Sequence, residues 1–288
     1  MANHTLSPLP RKTVEAAVRT ALEEDMGRSG DLTSQAVIPA GAMAKGAIVS
    51  REQGVLAGLD LAVAAFHTMN EDIDVDTLCQ DGNAVKPGDA VLTVHGPARD
   101  VLAAERVALN YLGHLSGIAS QTRLYVEKTT GTRARITCTR KTTPNLRTLQ
   151  KYAVRCGGGF NHRYGLDDGI LIKDNHIAVA GGVGPAVKAA LAGAGHMVRV
   201  EIEVDTLEQL KEAMDAGAQA VLLDNMPPET LREALAIIDG RAAAEASGNV
   251  TLETVKAIAE TGVDYISVGR ITHSAPCLDL GLDLEITC

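Results

Sequence analysis

The chain has 288 residues, of which 45% are hydrophobic and 22% charged, a composition typical of one large globular domain or two modest ones. A net charge of −9 and an aromatic content of 2% argue against a nucleic-acid partner, because its recognition needs basic surface and aromatic stacking platforms. No stretch approaches the roughly 18 uninterrupted apolar residues of a membrane span, and the amino terminus lacks the apolar core of a signal peptide. We therefore expect neither a nucleic-acid nor a membrane partner.

The cysteines indicate the redox compartment. They are Cys79, Cys138, Cys156, Cys277 and Cys288, and no two of them form a C-x-x-C pair. An odd number at such wide spacing is typical neither of a disulfide framework nor of a zinc or redox site. A reducing, cytoplasmic location is therefore expected.

The first third of the chain predicts an α+β arrangement. Apolar positions at helical spacing predict an amphipathic helix over residues 13–26. Short β-like runs separated by turn residues follow at 47–50, 73–78 and 90–95. They predict a largely antiparallel sheet, after which a helical pattern extends from residue 100 to about 128.

Beyond Arg133 the pattern changes to apolar strand, loop and helix, which is typical of a parallel sheet. Strands are predicted at 135–138, 170–173, 198–204, 220–223, 242–245 and 265–268, with helices such as 207–216 and 252–261 between them. Six such units predict a barrel. An open doubly wound sheet has the same local pattern, but the first βα turn lacks the G-x-G-x-x-G of its dinucleotide-binding form.

Polar residues lie at the ends of the predicted strands, and the third strand carries one near its end. They are Arg140 and Lys141, Lys173, Glu203, Asp224 and Asn225, Ser247 with Gly248 and Asn249, and finally Gly269 and Arg270. In a βα barrel the carboxyl ends of the strands form the active site, so these residues are candidates for binding and catalysis. Each alone fits a solvated loop, but the series places cations first and carboxylates next, which suits a substrate with two chemically different ends.

Clustered cations repel one another, so they predict an anionic ligand, and Arg and Lys together indicate carboxylates or phosphates. Glu203 and Asp224 could hold either sugar hydroxyls or Mg²⁺, which prefers oxygen ligands. Small residues in the last two loops, Ser247-Gly248-Asn249 and Gly269, predict a phosphate site, although an ordinary helix cap is the alternative there.

The segment TRKTTPNLRTLQKYAVRCGGGFNHRYGLDDGILIKDNH, residues 139–176, resembles the quinolinate phosphoribosyltransferase family. The resemblance covers nearly the whole chain. It continues in EEDMGRSGDLTS, ERVALNYLGHLSGIA, EVDTLEQL, LLDN and ETGVDYISVGRITHS.

This resemblance implies a Mg²⁺-dependent pentosyltransferase of NAD biosynthesis. Its reaction turns quinolinate and phosphoribosyl pyrophosphate into nicotinate mononucleotide, pyrophosphate and CO₂. The implied fold is α/β, with an N-terminal open-faced sandwich (residues 1–112 and 276–288) beside an incomplete TIM-like barrel (residues 113–275). The family also implies a homodimer with shared active sites, with a higher oligomer possible.

The resemblance also implies roles for individual residues. Arg106 is expected to reach the neighbouring subunit's site, beside Arg140, Lys141, His162, Arg163 and Lys173 around the pyridine dicarboxylate. Glu203 and Asp224 would face the ribose and the metal, directly or through water, and Ser247, Gly248, Asn249 and Gly269 the 5′-phosphate. The expected catalytic residues are Lys141, Glu203 and Asp224.

Some basic residues have other interpretations. A histidine beside an arginine, as in His162-Arg163, can also orient a loop. Arg147, Lys151 and Arg155 lie four residues apart, which fits a solvated helical face at least as well as substrate contact. We leave these three out of the predicted site.

Two rival functions follow from the sequence. The first is a related transferase that acts on nicotinate or another anionic heterocycle, or a paralogue associated with molybdenum uptake. The second is a carrier module, because DGNAVKPGDAVLTVHG faintly resembles the hairpins of lipoyl and biotinyl domains. Lys86, however, lies in an ordinary turn sequence before Pro87-Gly88.

Overall fold

An antiparallel sheet and a parallel sheet dominate the structure, a computed structural model that describes residues 6–287. The chain divides into two units. The first contains Met1–Gln121, Leu149–Gly158 and Ser274–Cys288, and the second contains Thr122–Thr148 and Gly159–His273. The predicted α/β class is confirmed, whereas the predicted domain limits stay a prediction.

The first unit contains most of the antiparallel structure. Its elements are α1 (Arg11–Met26), α2 (Leu32–Val37), β1 (Met43–Ser50), β2 (Gly54–Val55), α3 (Leu59–Met69), β3 (Asp74–Thr77), β4 (Ala84–Val85), β5 (Ala90–Pro97), the greater part of α4 (Ala98–Lys128) and of α5 (Arg147–Cys156), and, numbered in chain order, β12 (Leu280–Thr287). The opening helix and the long helix lie where the sequence predicts them.

The four-stranded sheet of this unit has the order β12-β1-β5-β3, and neighbouring strands are antiparallel. β1 pairs with β12 over its full length, from Met43 opposite Thr287 to Ser50 opposite Leu280. The last strand of the chain therefore completes the sheet formed by the first strands, as the resemblance implies.

Helix α5 differs from the sequence prediction. Seven of its residues are buried, and Lys151 is fully buried. The interpretation of a solvated face is therefore wrong at Lys151. A helix covered on most of its sides exposes no continuous face, so the spacing of charged residues alone does not predict exposure.

The second unit contains the parallel sheet and its helices. Its elements are β6 (Arg135–Thr137), β7 (Ile170–Ile172), α6 (Asp174–Ala180), α7 (Val183–Gly193), β8 (Val200–Val204), α8 (Leu207–Asp215), β9 (Ala220–Asp224), α9 (Pro228–Ile238), β10 (Ala243–Ser247), α10 (Val255–Ala259), β11 (Tyr265–Ser267) and α11 (Arg270–His273). Helix α10 is shorter than predicted, because Thr251 Oγ1 accepts the backbone N–H groups of Glu253 and Thr254 in a local turn that precedes it.

The six parallel strands follow the order β6-β11-β10-β9-β8-β7. The last strand thus pairs with the first, as in a barrel. At the other edge of β6, Phe160 forms a parallel bridge with Thr137, and its N–H donates to Ile136 O at 2.8 Å. This single bridged residue stands where a closed barrel would have a further strand pairing, so the barrel is incomplete.

Strand alternation brings the polar residues of the parallel strands to one face. In β8, Val200, Ile202 and Val204 are buried on the outer face, so Glu201 and Glu203 share the opposite face. The same alternation gives β10 two polar residues on one face, Glu245 and Ser247. The interior of the barrel therefore contains polar side chains at more than one position along β8 and β10.

Candidate active site at the strand ends

A cavity of about 490 Å³ lies at the carboxyl ends of the parallel strands. It is lined by eight residues that the sequence selects, namely Lys141, Asp224, Asn225, Ser247, Gly248, Asn249, Gly269 and Arg270. The residues come from four separate strand ends and meet because parallel strands end at the same edge of the barrel.

The loop after β10 depends on a glycine. Gly248 has φ +92°, and a Cβ there would lie 2.1 Å from Asn225 Oδ1 and 2.9 Å from Asn225 N. The Asn225 amide is held on both sides, since its Oδ1 accepts from Asn249 Nδ2 at 3.0 Å and its Nδ2 donates to Asp224 Oδ2 at 2.6 Å. Gly248 thus allows the loops after β9 and β10 to approach each other closely. Asn225, which lies at this contact, holds the Asp224 carboxylate through its hydrogen bond.

Replacing Gly248 with Ala is expected to lower kcat/KM for a phosphorylated substrate by about 100-fold or more, because a displaced Asn225 moves Asp224. Gly131→Ala is the matched control: its φ is +88° but nothing lies within 4 Å of the added Cβ. The control loses only about 1–2 kcal/mol of stability to backbone strain. Equal activity of the two variants, with kinetics and thermal unfolding measured on both, would contradict this role of Gly248.

Lys173 and Glu203 form an ion pair in the second unit. Lys173 Nζ donates to Glu203 Oε2 at 2.5 Å, and the two side chains are 47% and 17% exposed. Lys173 precedes α6 and Glu203 lies in β8, so the strand ends bring them together. A half-exposed pair contributes about 1 kcal/mol or less to stability, so we infer that its main effect is to orient the Glu203 carboxylate.

A second cavity, of about 390 Å³, contains His162 and Arg163. Its lining shares no residue with that of the first cavity. Burial and the nearby positive charge of Arg140 lower the pKa of Arg163, so the guanidinium groups of these two residues repel each other. The predicted cluster of cations is therefore divided between two cavities: Arg163 lines one and is close to Arg140, whereas Lys141 lines the other.

His162 is engaged by protein groups on both ring nitrogens. Its Nδ1 accepts the backbone N–H of Arg163 at 2.8 Å, and its Nε2 lies 3.0 Å from Glu201 Oε2 and 3.8 Å from Glu245 Oε1. Because Nδ1 accepts a hydrogen bond, the proton lies on Nε2 and the ring is neutral. Contact between His162 and a substrate stays a prediction.

Sequence reasoning missed Glu201 and Glu245. Burial raises the pKa of Glu245 to about 8, with a further contribution from the Glu201 charge. The period of two in VEIEV could have identified Glu201 as a partner of Glu203 on the inner face. Nothing in AAEAS indicates that Glu245 approaches a histidine more than 80 residues away.

The three side chains of His162, Glu201 and Glu245 lie close enough together to hold a metal ion. A metal bound at Nε2 of a histidine requires the proton on Nδ1, usually donated to an acceptor. Here Nδ1 receives the Arg163 N–H instead. The hydrogen-bonding pattern therefore favours an imidazole–carboxylate cluster over a metal site.

Neither Arg106 nor Arg147 is among the residues that line the two cavities. Arg106 is on α4 in the first unit, with its side chain 65% exposed. Arg147 donates to Thr142 Oγ1 at 3.0 Å and to Tyr164 O at 2.8 Å, so its guanidinium stabilises loops of the second unit. The described part of the chain contains no helix long and apolar enough to cross a membrane.

Neither Lys86 nor any of the four cysteines in the described residues lines either cavity. None of the four cysteines in the described part of the chain is in a disulfide, and Cys288 lies outside the described residues. Lys86 lies in the turn after β4, where its N–H donates to Asp89 Oδ2 at 3.0 Å.

Comparisons with known proteins assign the family. Residues 31–116 match the family model "Quinolinate phosphoribosyl transferase, N-terminal domain", and residues 118–283 match the corresponding C-terminal domain. A probable nicotinate-nucleotide pyrophosphorylase [carboxylating] of Bacillus subtilis is 44% identical over 264 residues, 92% of this chain and 91% of the relative. The nicotinate-nucleotide pyrophosphorylase [carboxylating] of Mycobacterium leprae is 46% identical over 275 residues, 93% and 95% of the two chains.

A solved structure agrees with these relatives. The crystal structure of NadC from Streptococcus pyogenes superposes with a TM-score of 0.94 at 40% identity, and the match covers 98% of this chain and 100% of that one. The chain matches both domain models and relatives over more than nine tenths of their length, which argues against the interpretation as a carrier module. The chain belongs to the quinolinate phosphoribosyltransferase family.

Proposed function

We propose that the chain converts quinolinate and phosphoribosyl pyrophosphate into nicotinate mononucleotide, pyrophosphate and CO₂, a step of NAD biosynthesis. The observation that carries this proposal is the sorting of charge in the second unit. Cations from the first two βα units, Lys141 and Lys173, stand opposite carboxylates of the next two, Glu203 and Asp224. Quinolinate is a dianion. Phosphoribosyl pyrophosphate combines several phosphates with a ribose that develops positive charge during transfer.

The basic residues are proposed to bind quinolinate. Arg140, Lys141, Arg163 and Lys173 provide enough positive charge for two carboxylates, and Arg163 has a buried Nε–H that no group in the described residues accepts. A buried donor without an acceptor is costly, by about 1–3 kcal/mol, and a substrate carboxylate would remove that cost.

The carboxylates are proposed to act on the ribose. Transfer of the ribosyl group to the pyridine nitrogen develops positive charge on the sugar, which Glu203 and Asp224 would stabilise electrostatically. The pyridine nitrogen becomes cationic once its bond to the ribose forms. The electron pair released when the adjacent carboxylate leaves as CO₂ is then stabilised beside that cationic nitrogen until a proton is added.

Mg²⁺ fits the oxygen donors of this site. Glu203 and Asp224 each use one oxygen in a hydrogen bond, to Lys173 and to Asn225 respectively, and the other oxygen of each remains available among the described residues. Carboxylate oxygens combined with substrate phosphates are typical Mg²⁺ ligands. When bound, Mg²⁺ would neutralise charge that develops on the departing pyrophosphate.

The loops after the last strands are proposed to hold the 5′-phosphate. Ser247, Gly248, Asn249 and Gly269 all line the cavity of Asp224. Gly248 allows the backbone to approach the bound group closely, which is a common feature of phosphate sites in barrel enzymes. Lys141 lines the same cavity and is proposed to assist departure of pyrophosphate.

The assembly and the compartment belong to the same proposal. A homodimer in which Arg106 completes the partner's site is supported by the exposure of its guanidinium on α4 and by the resemblance of its segment to the family. A cytoplasmic location is supported by the absence of disulfides among the four described cysteines.

An assay of substrate choice tests the function. The protein is incubated with Mg²⁺, phosphoribosyl pyrophosphate and either quinolinate or nicotinate, and nucleotide products are separated by chromatography. We expect nicotinate mononucleotide from quinolinate, and a large loss of rate when Mg²⁺ is chelated. Turnover of nicotinate without turnover of quinolinate would instead establish the first rival function.

A further inference from the structure

Arg163 depends on its backbone for its position. Its Nη1 donates to Gly169 O at 2.8 Å, which ties the guanidinium to its own loop, and its Nε–H has no acceptor in the described residues. The loop from Phe160 to Gly169 therefore aims the guanidinium. Anything that fixes the backbone at residue 163 also fixes the direction in which Arg163 offers its donors.

His162 fixes that backbone. The Arg163 N–H donates to His162 Nδ1 at 2.8 Å, and the opposite ring nitrogen donates to Glu201 Oε2 at 3.0 Å. The side chains of His162 and Glu201 are 13% and 14% exposed. Hydrogen bonds to a carboxylate in such a sheltered place are stronger than neutral ones in water.

Glu245 closes the other side of the cluster. Its side chain is 7% exposed, and its Oε1 lies 3.8 Å from His162 Nε2, too far for a hydrogen bond. Burial and the Glu201 charge raise the pKa of Glu245 to about 8, so the group is mainly neutral at pH 7. Because Glu245 is neutral, the hydrogen bond from His162 Nε2–H goes to the Glu201 carboxylate.

We propose that Glu201 is a positioning residue, which acts through neutral His162 to hold Arg163 where its guanidinium can bind a carboxylate of the substrate. This inference rests on the proposed function, because it assigns the effect to quinolinate. Glu201 need not touch the substrate. Glu203, two residues later on the same face of β8, serves the ribose instead, so one strand supports both halves of the site.

The chain of contacts predicts a selective effect. Loss of the Glu201 acceptor frees the imidazole, and the Arg163 N–H then loses a fixed partner. Binding of quinolinate weakens because Arg163 is no longer aimed. In the phosphate loop after β10, the Asn249 side chain donates to Asn225 Oδ1 and not to a member of this cluster, so we expect binding of phosphoribosyl pyrophosphate to be retained.

Three variants test the inference by steady-state kinetics. Glu201→Ala is expected to raise KM for quinolinate about 10-fold or more, with less than about a 3-fold change in kcat and in KM for phosphoribosyl pyrophosphate. Glu201→Gln keeps an oxygen acceptor for Nε2–H and should recover most of the lost affinity. Glu212→Ala, which removes a carboxylate that accepts from Gly184 N at 2.8 Å on an outer helix, is the matched control and should leave KM for quinolinate unchanged.

Three results would overturn the inference. They are an unchanged KM for quinolinate in Glu201→Ala, parallel losses in kcat and both KM values, and a Gln variant no better than the Ala variant. A wild-type protein without activity on quinolinate is a different result, because it refutes the proposed function first.

Nuclear magnetic resonance of the imidazole nitrogens provides a readout that needs no activity. The His162 signals, assigned from their loss in His162→Gln, should show a neutral ring with the proton on Nε2 at pH 7 in the wild-type protein. Glu201→Ala should shift the Nε2–H resonance and expose it to solvent exchange. A ring protonated on Nδ1 in the wild type would contradict the proposed chain of contacts, whatever the enzyme turns over.

Discussion

Replacing Glu203 with Gln should lower kcat by about two to three orders of magnitude, the loss typical of removing one preorganised electrostatic group. The Gln side chain has the same size and still offers an oxygen to Lys173 Nζ, now 2.5 Å from Glu203 Oε2. Only the negative charge is lost. We therefore expect the rate of ribosyl transfer to fall while KM for quinolinate changes little.

Glu260→Gln is the control for this substitution. Glu260, directly after α10, forms an exposed ion pair with Lys256 at 3.9 Å, and its loss should cost less than about 1 kcal/mol and no activity. Single-turnover measurements on both variants would separate chemistry from product release. A Glu203→Gln enzyme whose kcat stays within about threefold of the wild-type value, far from the expected loss of about 100-fold or more, would refute the electrostatic role of Glu203.

Mixing two inactive variants should restore activity if active sites are shared between subunits. Arg106→Ala and Lys141→Ala are each expected to lose about 100-fold or more in kcat/KM, because each removes a cation from the anion site. In a mixed dimer one of the two sites carries both defects and the other carries neither. Random exchange of a symmetric dimer then predicts recovery of about a quarter of the wild-type sites.

The exchange itself must be measured alongside activity. Tagged versions of the two variants, separated after mixing, show how many hybrid dimers form. A mixture of each variant with itself is the control. Hybrid dimers that form at the expected level and remain inactive would show that Arg106 acts within its own subunit or outside the site.

The fold was largely predictable because its signals are local. The apolar runs near 135, 170, 200, 220, 243 and 265 each became a strand, since period and length identify a buried parallel strand. Helix ends were less predictable. Thr251 shortened α10 through hydrogen bonds that compete with the helix, and tertiary packing buried Lys151 despite its spacing on a helical face.

The site was predictable where it follows strand ends and unpredictable where it depends on pairing across the barrel. Lys141, Asp224 and Gly248 meet in one cavity because parallel strands end together. The contact between Glu245 and His162 instead depends on which residues face each other in the interior. Neither residue has a local pattern that predicts the other, so only the structure reveals the cluster.

Release of CO₂ tests the central claim most directly. Quinolinate labelled in the carboxylate next to the ring nitrogen is incubated with phosphoribosyl pyrophosphate and Mg²⁺, and labelled CO₂ and pyrophosphate are counted together. The proposed reaction predicts equal amounts of the two products, and no CO₂ when phosphoribosyl pyrophosphate is omitted. Pyrophosphate released without labelled CO₂, or CO₂ released without the sugar donor, would contradict it.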